Sequence, residues 1–131
     1  MAHDCCAPTP RSTLPEPLRL AQIFVPDTTV YADRVYFEAP SAADYADWLE
    51  FTDADLTLVQ ALANHQHILD FFGDVEVSRA DLLAFGYRLQ TAWQALMQSR
   101  YPDRQIVIAF DPQDEDTLDE IQINLYEESA A

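Results

Sequence analysis

Three stretches of this 131-residue chain carry residue types that do chemistry when correctly spaced. His65 and His67 form a His-x-His. On an extended strand, residues two apart face the same way, and two imidazoles can share a metal ion. The surrounding pattern reads as the middle of a helix, where such residues lie about 200° apart around the axis. The pair is therefore expected to be two separate histidines that share no ion, with His67 at most pairing with Asp70. His3, Asp4, Cys5 and Cys6 bring soft and borderline donors together, but their spacing fits no zinc pattern, and neighbouring cysteines are poorly placed for a bridge. Residues 111–120 hold six acids. They lack the glycine and the alternating acids of a calcium-binding loop, so an acidic hairpin tip is expected. Ser41 and Ser78 sit where helix caps belong, so neither reads as a nucleophile. No catalytic residue, metal or cofactor is expected.

What the chain does carry is charge. It holds 23 acids against seven basic residues, a formal charge of −16, and every basic residue is arginine. This excludes binding to a nucleic-acid backbone, which needs clustered Arg and Lys to neutralise phosphates. It also opposes an anionic membrane. Without lysine there is no Schiff-base chemistry, and with only Gly73 and Gly86 there is no glycine-rich phosphate loop. The charge is confined. Residues 35–78 contain nine acids and no base, and residues 105–131 contain eight acids and no base. The rest nearly cancels, at −1 for residues 1–34 and +2 for residues 79–104.

The elements that must position these acids follow from pattern. Residues 1–18 hold four prolines and read as a flexible arm or extended lead-in, leaving 19–128 as one α+β domain. Residues 19–25 and 29–37 read as strands around a turn at 26–28. Ser41 with Asp44, Thr52 with Asp55 and Ser78 with Asp81 repeat one spacing, a hydroxyl three residues before a carboxylate, which opens a helix. Helices are expected over 42–50, 53–72 and 79–100, with Gly73 as a stop and Trp93 in the core. Residues 105–110 and 118–126 read as the last strands, with a slip at Asp119 and Glu120. The order β-β-α-α-α-β-β favours a two-layer fold, a four-stranded mainly antiparallel sheet with the helices on one face. No apolar run is long enough to span a membrane. The start of the chain lacks the basic and apolar regions of a signal peptide, and a reduced, cytoplasmic protein is expected.

Asp44, Asp47 and Glu50 recur at i+3 beside an apolar stripe of Tyr45, Trp48 and Leu49. Like charges so placed disfavour the helix by a few tenths of a kcal/mol per pair, while aromatics flanked by acids make anchors for a basic partner. Asp111, Asp114, Glu115 and Asp116 form the second acidic group. The expected partner-binding residues are therefore Asp44, Asp47, Trp48, Glu50, Asp111, Asp114, Glu115 and Asp116. In size and charge the chain resembles small acidic α+β proteins that act as stoichiometric inhibitors, among them immunity proteins against toxins and DNA mimics. That resemblance implies a non-enzymatic protein docking on a basic toxin or nucleic-acid enzyme. The alternatives are an assembly protein that dimerises by pairing strand 118–126 with its copy, with an acidity of high-salt origin (Asp outnumbers Glu 15 to 8), and a small hydrolase.

Overall fold

A computed structural model describes residues 15–112 and 117–128 of the protein. The first element is not a strand. Glu16–Phe24 is a helix, α1, entered through Pro15 with Pro17 in its first turn. Proline there removes only an amide that would lack a helical partner, and its fixed φ suits the first turn. Glu16 lies at the positive end of the helix dipole. Ile23 is buried and Phe24 packs beside the core. The segment expected as strand 19–25, and the last residues of the expected arm, are thus helical.

Residues 29–37 form two strands rather than one. Thr29–Tyr31 (β1) and Arg34–Tyr36 (β2) pair antiparallel around Ala32 and Asp33. Both turn residues have positive φ, 49° and 63°, the backbone of a tight hairpin turn. Ala42–Phe51 (α2) begins as expected, with Ser41 Oγ accepting from the Asp44 amide. Arg79–Arg100 (α4) begins in the same way from Ser78. The middle helix is shorter than expected. Thr52 closes α2 by donating to the Trp48 carbonyl, and Asp55 is the residue that caps Leu56–Asn64 (α3). The chain then extends through Gln66–His67 (β3) and winds into a 3₁₀ turn, Ile68–Phe72, which Gly73 stops at φ 61°.

Ile106–Phe110 (β4) and Gln122–Glu127 (β5) form an antiparallel pair, after a 3₁₀ turn at Leu118–Glu120 that accounts for the slip there. The four-stranded sheet does not form. Among the described residues there are two antiparallel sheets, β1-β2 and β3-β5-β4. β5 pairs with β4 along residues 123–127 and with β3 at Gln122 and Ile123. Ile106, Ile108 and Phe110 with Ile123 and Leu125 turn inward onto Leu82, Leu89, Trp93 and Met97 of α4, within one cluster that also contains Ile23 and Val35.

Side-chain amides finish both long edges. On the outer side of β4, Gln94 accepts from the Ile108 amide and donates to the Ile106 carbonyl, while Gln90 donates to the Ile108 carbonyl. On the outer side of β5, Gln60 accepts from the Glu127 amide, and Asn64 donates to the Leu125 carbonyl. Each helix presents its two amides at i, i+4, on one face.

The second of these pairs also reaches the first sheet. Gln60 and Asn64 both donate to the Val35 carbonyl, and Asn64 accepts from the Phe37 amide. The Glu127 carboxylate accepts from the Val35 amide at 2.8 Å and from Gln60 at 2.7 Å. β2 and β5 therefore face each other across a seam of side chains, where a single sheet would have main-chain bonds.

Candidate functional site

The acidic face grows out of α2. No α2 residue is buried. Asp44, Asp47 and Glu50 are exposed, and Tyr45, Trp48 and Leu49 are half-buried. Tyr45 ties the helix to the first hairpin, its ring edge-on to Tyr31 at 5.2 Å, and Tyr31 in turn lies 6.1 Å from Tyr36. After Thr52, Asp53 and Ala54 take positive φ, 57° and 63°, which turns the chain sharply into α3. The Ala54 amide closes the turn on the Leu49 carbonyl at 2.7 Å. Phe51 is left 78% exposed, and Leu56 and Leu58 are also exposed. The corner between α2 and α3 thus carries apolar side chains among Asp47, Glu50, Asp53 and Asp55. Reading α2 alone found the acids and Trp48 but left Phe51 without a role. The signal was the Thr52 to Asp55 segment, which shows its second capping residue only once the helix is split.

Five of the seven arginines donate to main-chain carbonyls. Arg19 donates to the Phe71 carbonyl, Arg34 to Glu127, Arg79 to Pro112, Arg100 to Pro26 and Arg104 to Asp33, at 2.6 to 3.2 Å. The ion pairs of Arg19 and Arg104 take Glu16, Asp33 and Glu127, none of which belongs to the corner.

Asp111 is exposed just past β4. Ile106 pairs with Glu127 and Phe110 with Ile123, and Thr57 at the start of α3 bonds the Glu127 carbonyl. The α2–α3 corner therefore adjoins one end of the β4-β5 pair and Asp111 the other, about 13 Å further along the strand. Asp114, Glu115 and Asp116 lie outside the described residues.

No protein family, curated protein or solved structure matches this chain. Among the described residues no helix is long and apolar enough to cross a membrane, and no group of three or more His, Cys, Asp or Glu gathers for a metal.

A hollow of about 500 Å³ opens between α1 and the core, with Ile23, Phe37, Phe71 and Trp93 on its apolar walls and Arg19 and Gln66 among its polar ones. Trp93 Nε1 donates to the Ile23 carbonyl at 2.8 Å and so joins α1 to α4. Reading 19–25 as a strand concealed this hollow. Proline at 15 and 17 with Leu20, Ile23 and Phe24 at helical spacing was the available sign. A smaller hollow of about 240 Å³ shares Arg19 and adds His65, His67 and Asp70.

His65 and His67 are not in mid-helix. His65 follows α3 in an extended conformation, φ −65° and ψ 142°, and His67 lies in β3. Their rings meet edge to face with centroids 5.4 Å apart.

Burial raises the Tyr36 phenol above its usual value near 10, with Tyr45 adding to the shift. A raised folded-state pKa means that the unfolded chain loses this proton first. The stabilisation is complete below about pH 10 and is lost as the pH climbs through the raised value. The urea midpoint should therefore fall from about pH 9 to about pH 11, and Tyr36→Phe should fall less. Equal losses in both chains would contradict this role for the phenol.

Proposed function

We propose that the protein is a non-enzymatic binding protein that docks its α2–α3 corner on a basic protein, in the manner of an inhibitor or immunity-type protein acting on a toxin or a nucleic-acid enzyme. The observation that carries this reading is Phe51, a phenylalanine 78% exposed beside Glu50, Asp47, Asp53 and Asp55. An acidic field of this kind speeds the approach of a basic surface. Phe51, with the half-buried Trp48 three residues earlier in α2, supplies the apolar anchor that slows departure. Arg19, Arg79, Arg100 and Arg104 support it, since they donate to carbonyls outside the corner, whereas Arg34 also reaches Thr57 in the first turn of α3.

The test uses the chain as bait in a lysate of its source organism, at low and high salt. The parent should retain a basic protein at low salt. Asp47→Lys with Glu50→Lys should abolish that retention by slowing association. Phe51→Ala should raise the dissociation rate of the recovered complex at least about tenfold, the size expected for a buried aromatic anchor. If both variants hold the same proteins as the parent at each salt concentration, the corner is not the docking surface.

A further inference from the structure

The two histidines at the mouth of the smaller hollow have the preparation of metal ligands. The backbone from His65 to His67 is extended, so the two side chains leave it on the same side. Each ring also has one nitrogen already committed. His65 Nδ1 lies 2.7 Å from the Leu62 carbonyl oxygen, and His67 Nδ1 lies 2.5 Å from that of Asp119. A carbonyl oxygen only accepts, so each Nδ1 carries the proton and donates it. In the neutral ring this leaves the Nε2 lone pair free on both residues. A histidine that binds a metal is typically held in this way, with its second nitrogen donating to a carbonyl or carboxylate.

The spacing agrees. With a Zn–N distance of about 2.0–2.1 Å, a bound ion lies about 3.2 Å from each ring centroid. Two rings at a tetrahedral angle then stand with centroids about 5.2 Å apart, against the 5.4 Å found here. Asp70 lines the same hollow and places an exposed carboxylate nearby. Arg19, which lines the same hollow, pairs with Glu16 at 3.0 Å and donates to the Phe71 carbonyl.

We propose that His65 and His67 form a two-imidazole site for a divalent transition ion of the zinc or copper class, bound through both Nε2 atoms and open to water at its remaining positions. Nitrogen donors select such ions over calcium or magnesium. The site stands independently of the docking corner.

The test is calorimetric titration with Zn²⁺ alone. The full chain carries His3→Gln, Cys5→Ser and Cys6→Ser, so that no other thiol or histidine competes. This parent should take up one ion per chain. His65→Gln and His67→Gln should each weaken binding by more than about tenfold. Both side chains lie at the surface or half-buried, and circular dichroism checks that the fold is kept. A second measurement needs no substitution at either position. Long-range ¹H–¹⁵N spectra of the imidazoles should show Zn²⁺ moving Nε2 of both residues while both Nδ1 atoms stay protonated. No uptake by the parent, equal affinity in either variant, or a shift confined to one ring would overturn the proposal.

Discussion

Glu127→Ala should lower the unfolding free energy by about 3 kcal/mol, the combined effect of a buried amide losing its acceptor and a half-buried arginine losing a hydrogen-bonded carboxylate. Glu127 is 7% exposed, and its carboxylate receives three donors: the Val35 amide, the Gln60 amide group and the Arg104 guanidinium at 2.9 Å. Alanine leaves the Val35 amide buried without its acceptor, at a penalty of about 1–3 kcal/mol by itself. Arg104 retains Asp33, but its bond to Glu127 is the largest cause of its raised pKa, and burial opposes it. Glu127→Gln should do less harm, since one oxygen still accepts from Val35 and Gln60 while its amide group faces Arg104 as a second donor. Urea denaturation orders the three chains. Hydrogen exchange at Val35 should quicken most in the alanine variant. A loss for Glu127→Ala no larger than that of a surface change such as Asp47→Ala would mean that the seam does not hold the first hairpin.

Gly86→Ala should also destabilise the protein, against the usual sign for that change. In a helix interior, alanine is favoured over glycine by about 1 kcal/mol. Here a Cβ on Gly86 would collide with the end of the Phe110 ring, reaching within 2.6 Å of Cε1. The ring has little room to retreat, being buried and edge-on to Tyr87 at 4.9 Å. Forcing α4 away from β4 costs about 1–3 kcal/mol, so the packing penalty outweighs the helical gain. Phe110→Leu in the same chain should recover part of the loss, which a double-mutant cycle would report as coupling between the two sites. A higher thermal midpoint for Gly86→Ala would show that the ring yields freely.

The parts of this fold that were legible are those decided by local chemistry. Ser41 and Ser78 announce α2 and α4, Trp93 lies in the core, and Gly73 ends a helical turn. The misreadings have distinct physical causes. The turn between β1 and β2 uses Ala32 and Asp33 at positive φ, without the glycine that marks such turns. The helix expected over 53–72 breaks after Asn64 without glycine or proline. There Gln66 and His67 gain strand pairing with Ile123 and Gln122, a tertiary gain that outweighs helix propensity. The single sheet was a fair expectation from two hairpins. It fails because Gln60 and Asn64 occupy the space between β2 and β5, and no pattern in the sequence tells an amide that serves a strand edge from one that faces water. For the candidate site, the acids of α2 were legible as charge. The corner was not, because it exists only through the reversal at Asp53 and Ala54.

The seam also orders events in time. Trp93 meets Ile23 across 70 positions of the chain, and Glu127 meets Val35 across 92. By contrast, the amide caps that join α4 to β4 span 12 to 18. Short loops cost less entropy to close than long ones, so α4, β4 and β5 are expected to be the part that assembles early. During synthesis the first hairpin emerges first, and until residue 127 follows it, the Val35 amide has only water or a transient neighbour to bond. The half of the protein made first is the half completed last.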